Sequence, residues 1–259
     1  MSAVPRKILC LPGYLQSGKI FAEKSSGLRK PLTKKLNLDL DYISPPIVLN
    51  DKSELPFSLG SDEEADAKWK SIVELECNRC WWKHTEPFGY EGFDESLKYL
   101  VNYIKENGPY QGILGFSQGA AMAAALNNVI EDVLPGHPSF ELAIFISGFV
   151  FTTPVNESDD KYDLLEIQNV DVYRQKVKVV EGFEKYFDGS KAAGHIVNIY
   201  GTGDATVPSV RSKHLSTIYN SNKLSVLEHD GGHYVPSKKH FVNPIIEIIK
   251  HFLDTTPNL

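Results

Sequence analysis

Twelve residues, Gln111-Gly-Ile-Leu-Gly-Phe-Ser-Gln-Gly-Ala-Ala-Met122, restrict what this chain can fold into more than any other stretch. The left half, Gln111 to Phe116, is a short apolar run suited to a buried strand. From Gln118 onward the chain turns alanine-rich and reads as a helix. Ser117 falls at the junction, with Gly115 and Gly119 two residues away on either side. Gly-x-Ser-x-Gly at a strand-to-helix turn strains the serine backbone and lifts its hydroxyl clear of the sheet. Only a hydrogen at the flanking positions lets strand and helix cross so closely. Ala120 and Ala121 keep the first helical turn small. Such a pattern arises by chance in roughly one chain of this length in ten, so the strand before it and the helix after it carry the inference. The plain alternative is a serine in an ordinary loop.

The rest of the chain alternates strand and helix signals. Lys7 to Leu11 is an apolar run broken by Pro12-Gly13. The loop that follows, Gly13 to Gly18, sits where a second oxyanion donor is expected, and Tyr14 is the residue just past the glycine. Ile20 to Lys35 predicts one or two short helices, interrupted near Ser26-Gly27. Leu38 to Ile43 predicts a strand that Ser44-Pro-Pro46 ends. Phe93, Leu97, Leu100, Val101 and Ile104 fall on one helical face, closed by Asn107-Gly108-Pro109. Strands are expected at Leu142 to Ser147, His195 to Tyr200 and Leu224 to Leu227. Helices are expected over Val172 to Phe187, Ser209 to Tyr219 and Ile245 to Leu253, the last opened by Asn243-Pro244. This order predicts an α/β fold with a mainly parallel sheet and helices on both faces. One domain over 1–259 is expected, with lid or insertion segments around 47–90 and 149–194. Trp81-Trp82, in the first segment, fits either an exposed acyl-group pocket or core packing.

Composition excludes several classes. The 259 residues are 42% hydrophobic and carry a net charge of -6. No basic block suggests nucleic acid, and no apolar run approaches the ~18 residues of a membrane span. The N-terminus enters a strand almost at once, so no signal peptide is expected. Three cysteines, few and odd in number, fit a reducing, intracellular compartment. Cys77 and Cys80 form C-x-x-C near His84, but the charged helical stretch before them offers neither further zinc ligands nor a thioredoxin-like strand. No metal or cofactor is therefore expected.

Three loops carry the chemistry. Ser117, Asp204 and His233 each follow the carboxyl end of an expected strand, where open parallel sheets place their sites. The spacing from Asp204 to His233 leaves room for one helix and one strand. A serine hydroxyl is a poor nucleophile until a base takes its proton. His233 is the expected base and Asp204 the residue that orients and charges-balances its ring. Backbone N–H groups of Tyr14 and Gln118 are the expected oxyanion donors. Each has a rival reading. Asp204 also suits a helix cap or turn acid. His229 lies four residues before His233, but Gly231-Gly232 gives only the latter freedom to swing inward. Ser147 ends a strand without a small-residue helix behind it and reads as a loop serine on the same edge. Val207 packs beside the triad or in the core, and His195 and His214 read as surface or core residues.

These residues resemble a known family. Gly108 to Ala120 is similar to the fungal serine hydrolases related to the human ovarian-cancer-associated candidate hydrolase. So are Leu15-Gln-Ser-Gly-Lys19, Glu23 to Lys30, Val207-Pro-Ser-Val-Arg-Ser-Lys213 and Gly231-Gly-His-Tyr-Val-Pro236. The likeness spans most of the chain and is closest to the budding-yeast members. It implies an α/β-hydrolase fold, a Ser117-Asp204-His233 triad and cofactor-free hydrolysis of carboxylic esters by a cytoplasmic enzyme. Pro12 departs from the family, where several members have histidine, and bears on the shape of the oxyanion loop. The expected partner is a small-molecule ester. Thioesterase or lysophospholipase-like activity is the alternative, as is a non-catalytic binding module. The assembly state stays open, a dimer included.

Overall fold

The computed structural model describes residues 4–85 and 89–255. Residues 1–3, where a leader was considered, and 86–88, within the first insertion segment, lie outside the described residues.

The six expected strands are present: β1 (Arg6–Leu11), β2 (Leu38–Tyr42), β3 (Gly112–Phe116), β4 (Leu142–Ile146), β5 (His195–Gly201) and β6 (Leu224–His229). They form one sheet in the order β6-β5-β4-β3-β1-β2, and every pairing is parallel. The middle strands β3 and β4 are buried along their whole length, as strands covered on both faces must be.

Nine helices of the described residues surround this sheet: α1 (Gly18–Lys24), α2 (Ser26–Leu36), α3 (Asp62–Glu74), α4 (Phe93–Asn107), α5 (Gln118–Val133), α6 (Lys161–Leu165), α7 (Val170–Lys176), α8 (Ser209–Thr217) and α9 (Lys239–Thr255). Phe21 of α1, Leu28 and Leu32 of α2, and Ile245 and Ile249 of α9 build the core on one face. α4, α5 and Leu215 of α8 build it on the other. Helix α5 is buried from Gln118 through Ile130, so its alanines suit a helix enclosed all round.

Two expected helices are corrected. Val172 to Phe187 is not one helix. The helix ends at Lys176, and Val177–Val179 pairs antiparallel with Thr152–Pro154. The β-branched Val177, Val179 and Val180 favour this strand, and Gly182 follows at φ 87°. The closing helix begins at Lys239 rather than after Pro244, which lies inside it. Burial of Val242, one turn ahead of Ile245 and Ile246, holds the added turn despite the N–H that Pro244 lacks.

The chain leaves β1 for the edge strand β2 and then returns to β3 on the other side of β1. The loops after β1 and β3 therefore diverge across a topological switch point, where open α/β sheets bind ligands.

Candidate active site

Ser117 caps α5 at φ 54°, ψ -121°, a backbone region that costs a non-glycine residue about 1–3 kcal/mol. The flanking glycines permit it. A Cβ on Gly115 would stand 2.3 Å from the Gly119 carbonyl oxygen, and one on Gly119 would stand 2.3 Å from the carbonyl oxygens of Leu11 and Pro12. Backbone, not side chain, blocks both positions, so neither can relax cheaply.

Ser117, His233 and Asp204 meet at the carboxyl ends of β3, β6 and β5. His233 Nε2 lies 2.9 Å from Ser117 Oγ, and Nδ1 lies 2.7 Å from Asp204 Oδ2. The carboxylate fixes the tautomer: Nδ1–H donates to Asp204, and Nε2 faces the serine as acceptor. Asp204 Oδ1 in turn accepts from the backbone N–H groups of Thr206 and Val207. Its side chain is 0% exposed. Burial raises the carboxyl's pKa, but the bond from His233, the Val207 N–H and the imidazole's charge outweigh that and hold it below the ordinary value. The His233 ring leans on Phe116 at 4.8 Å.

His229 makes no hydrogen bond to Ser117, which His233 reaches instead. His229 is 4% exposed, and its Nδ1 accepts the Gly231 N–H at 3.1 Å. Burial lowers its pKa, against the pull of Asp230 and Asp204. Its bond from the Gly231 N–H shapes the turn that precedes His233.

Gly13 packs on the elbow: a Cβ there would stand 3.3 Å from Ser117 Cβ. The next residue is Tyr14. Neither the Tyr14 nor the Gln118 N–H is bonded to another described residue, and Gln118 opens α5, where N–H groups lack helical partners.

The tryptophans do not line an open pocket. Trp81 and Trp82 are both 0% exposed. Trp81 Nε1–H donates to Pro12 O at 2.9 Å, and the Trp81 N–H donates to Gln118 Oε1 at 2.8 Å. Gln118 Nε2 donates to Trp82 O at 2.9 Å. This pair therefore clamps the loop after β1 to the start of α5, including the Pro12 carbonyl. The glutamine side chain's role was missed from sequence; its one signal was a polar amide at the head of the otherwise apolar stretch Gln118 to Leu126. Nearby, Cys77 and Cys80 are free thiols, and burial pushes Cys80 up to about 12.

A cavity of about 460 Å³ opens near Asp204 without being lined by any triad residue, and His233 lines a separate one of about 360 Å³. The lining of the first includes Thr206, two residues past Asp204, and His84, whose ring lies 5.0 Å from that of Tyr14. Both insertion segments contribute walls, Phe57 and Tyr90 from 47–90, Phe149 and Tyr173 from 149–194. A larger cavity, about 830 Å³, lies around His195 and His251 at the opposite end of β5.

A six-stranded parallel sheet covered on both faces, with a serine elbow after a central strand, defines an α/β-hydrolase. The chain belongs to the family described as "Serine hydrolase (FSH1)", which matches residues 1–245. It is similar to esterase OVCA2 of Danio rerio, 30% identical over 97% of this chain and 100% of that one. It is also similar to family of serine hydrolases 3 of Saccharomyces cerevisiae, 30% identical over 95% of this chain and 84% of that one. A Schizosaccharomyces pombe protein named dihydrofolate reductase is 29% identical over 90% of this chain, which spans only 44% of its length. Among solved structures, Arabidopsis thaliana SOBER1 shares the fold, with a TM-score of 0.56 at 16% identity over 96% of this chain and 99% of that one. No helix of the described residues is long and apolar enough to cross a membrane.

Proposed function

We propose that this serine hydrolase cleaves carboxylic esters through an acyl-enzyme on Ser117. The observation that carries the reading is the unbroken relay from Ser117 Oγ through His233 to the buried Asp204, at 2.9 and 2.7 Å. Ser117 Oγ attacks the ester carbonyl as its proton passes to His233 Nε2. The imidazolium that forms is stabilised by the charged Asp204. The carbonyl oxygen, now an oxyanion, takes hydrogen bonds from the Tyr14 and Gln118 N–H groups, each of the kind worth roughly 3 kcal/mol in a transition state. The tetrahedral adduct collapses, the C–O bond to the alcohol breaks, and His233 protonates the departing oxygen. Water then repeats the sequence on the acyl-serine and frees the acid.

The same reading treats 1–259 as one catalytic domain whose segments 47–90 and 149–194 wall the substrate pocket. A cytoplasmic location belongs to it too, supported by the free thiols Cys10, Cys77 and Cys80. A fluorophosphonate probe tests the mechanism. It should add to Ser117, mapped by mass spectrometry, and Ser117→Ala should lose both the adduct and p-nitrophenyl ester hydrolysis while melting as the parent does. Esterase activity retained by Ser117→Ala sinks the reading.

A further inference from the structure

The cavity that Thr206 links to Asp204 carries in its wall a charge that ester cleavage does not use. Its volume, about 460 Å³, suits a small-molecule ligand. Its walls are mostly apolar, with Phe57, Tyr90, Phe149 and Leu164 among them, and Arg211 of α8 stands in that wall. The guanidinium Cζ lies over the Phe149 ring, 4.0 Å from the ring centre. That contact holds it in place but does not neutralise it. Among the described residues, the Arg211 side chain has no ion-pair partner and donates no hydrogen bond; only its backbone N–H does, to Pro208 O at 2.9 Å. Other cations on these elements differ: Lys213, two residues on, faces Glu228 at 3.8 Å, and Arg174 faces Asp171 at 3.8 Å. The uncompensated field is felt by its neighbours. Behind burial and Arg174, Arg211 helps hold His214 down to about 4.

A half-buried guanidinium without a counter-charge is costly, and its planar fork matches a carboxylate or a phosphate. The chain as a whole carries a net charge of -6 and repels anions, so a local cation is what would admit one. The segment Val207 to Lys213 that carries Arg211 contributes only Val207 to the surroundings of the triad.

We propose that Arg211 determines specificity by reading an anionic group on the substrate. The substrate is an ester whose apolar part fills the cavity and which carries a carboxylate or phosphate that meets the guanidinium. This rests on the assignment of Ser117 as the esterase nucleophile.

The test compares charged and neutral twins. In one arm, p-nitrophenyl esters of dicarboxylic acids with a free terminal carboxylate are set against their methyl-capped forms. In the other, acyl esters of glycerol phosphate are set against the matching acyl glycerols. The readout is the ratio of kcat/KM, charged over neutral. The wild-type ratio should exceed about ten in one arm, and that arm tells whether the anion sits on the acyl or the alcohol side. Arg211→Gln should cut the ratio about tenfold to a hundredfold, the scale of a charge-assisted hydrogen bond. Arg211→Lys, which keeps the charge and loses the fork, should fall between and serves if the glutamine variant does not fold. Added salt should compress the wild-type ratio. A ratio unchanged in Arg211→Gln, or no preference for the charged twin in either arm, overturns the proposal. Calorimetric binding of the same twins to Ser117→Ala, with and without Arg211→Gln, decides the point independently of turnover. Failure of the fluorophosphonate to label wild type removes the esterase reading instead, and the binding comparison then still decides the role of Arg211.

Discussion

Ser117 and Ser147 stand at the carboxyl ends of the neighbouring strands β3 and β4, and both lie in left-handed backbone, at φ 54° and 52°. Both are buried. Their N–H groups even make the same kind of bond, each to the carbonyl of the next strand over, Ile146 for Ser117 and Ile199 for Ser147. Two things separate them. After Ser117 comes a long helix whose first N–H groups point back at the turn, whereas after Ser147 the chain runs on through Gly148 and Phe149 to a two-stranded ribbon. The imidazole of His233 reaches only Ser117. Ser147 Oγ is fully enclosed and helps keep Asp204 charged, short of full hydrogen-bond geometry. Strain and position at a strand end are thus shared. A base and an oxyanion cradle are not, and on the proposed mechanism those make the nucleophile.

The largest expected effect is on Ser117. Ser117→Ala should lower kcat by about 10⁴ to 10⁶, the scale of removing a triad nucleophile, and hydrolysis of p-nitrophenyl esters measures it. Next comes Asp204→Asn. It removes the charge that orients His233, and a fall of about 10⁴ in kcat is expected, with fluorophosphonate labelling slowed in step. Comparable labelling rates in Asp204→Asn and wild type would break the distinction drawn between the two serines, because the base would then matter little.

A third prediction separates loss of fold from loss of the base. Burial, aided by Arg174 and Arg211, lowers His214 to about 4, against about 6.5 in an unfolded chain. Between those values the unfolded chain binds a proton that the folded one does not. Stability should therefore be full above about pH 6.5 and fall as pH drops toward 4, by roughly 1–3 kcal/mol from this residue. Buried His137 and His229 and partly buried His195 are shifted in the same direction. Asp204, held below the ordinary carboxylate value, loses its contribution only lower still, as pH falls through its depressed pKa. Urea midpoints at pH 7 and 4.5 measure the slope, and His214→Gln should flatten it. The smallest effect belongs to Ser147→Ala. Its kcat should stay within about threefold of wild type with labelling intact; a hundredfold loss would make Ser147 more than a spectator.

Much of this arrangement was legible in the residue order. Short apolar runs marked the central strands, because a strand covered on both faces must be apolar along its length, while the edge strand β2 showed as apolar-polar alternation over Leu38 to Ile43. The elbow was legible because its glycines answer a local backbone crossing. Boundaries were harder. Val172 to Phe187 has helix-compatible spacing, yet pairing with Thr152–Pro154 took its middle for a ribbon. Pro244 reads as a helix start until the packing of Val242 beneath it is known. Trp81 and Trp82 suit either a pocket wall or the core from sequence; burial settles for the core, and only their bonds to Pro12 and Gln118 reveal a clamp.

Sequence by itself determined the strand and helix order, the strained turn at Ser117 and the set of acids and bases from which a triad could be drawn. These depend on near neighbours along the chain, whose apolar spacing and backbone freedom act over a few residues. Tertiary structure alone closed the contact between His233 and Ser117 that the Gly231-Gly232 turn only allowed, enclosed both tryptophans, and stood Arg211 in the pocket wall with no carboxylate partner among the described residues. Those outcomes join groups as far as 116 residues apart, and no local preference encodes which of several similar side chains the sheet will bring to the same rim.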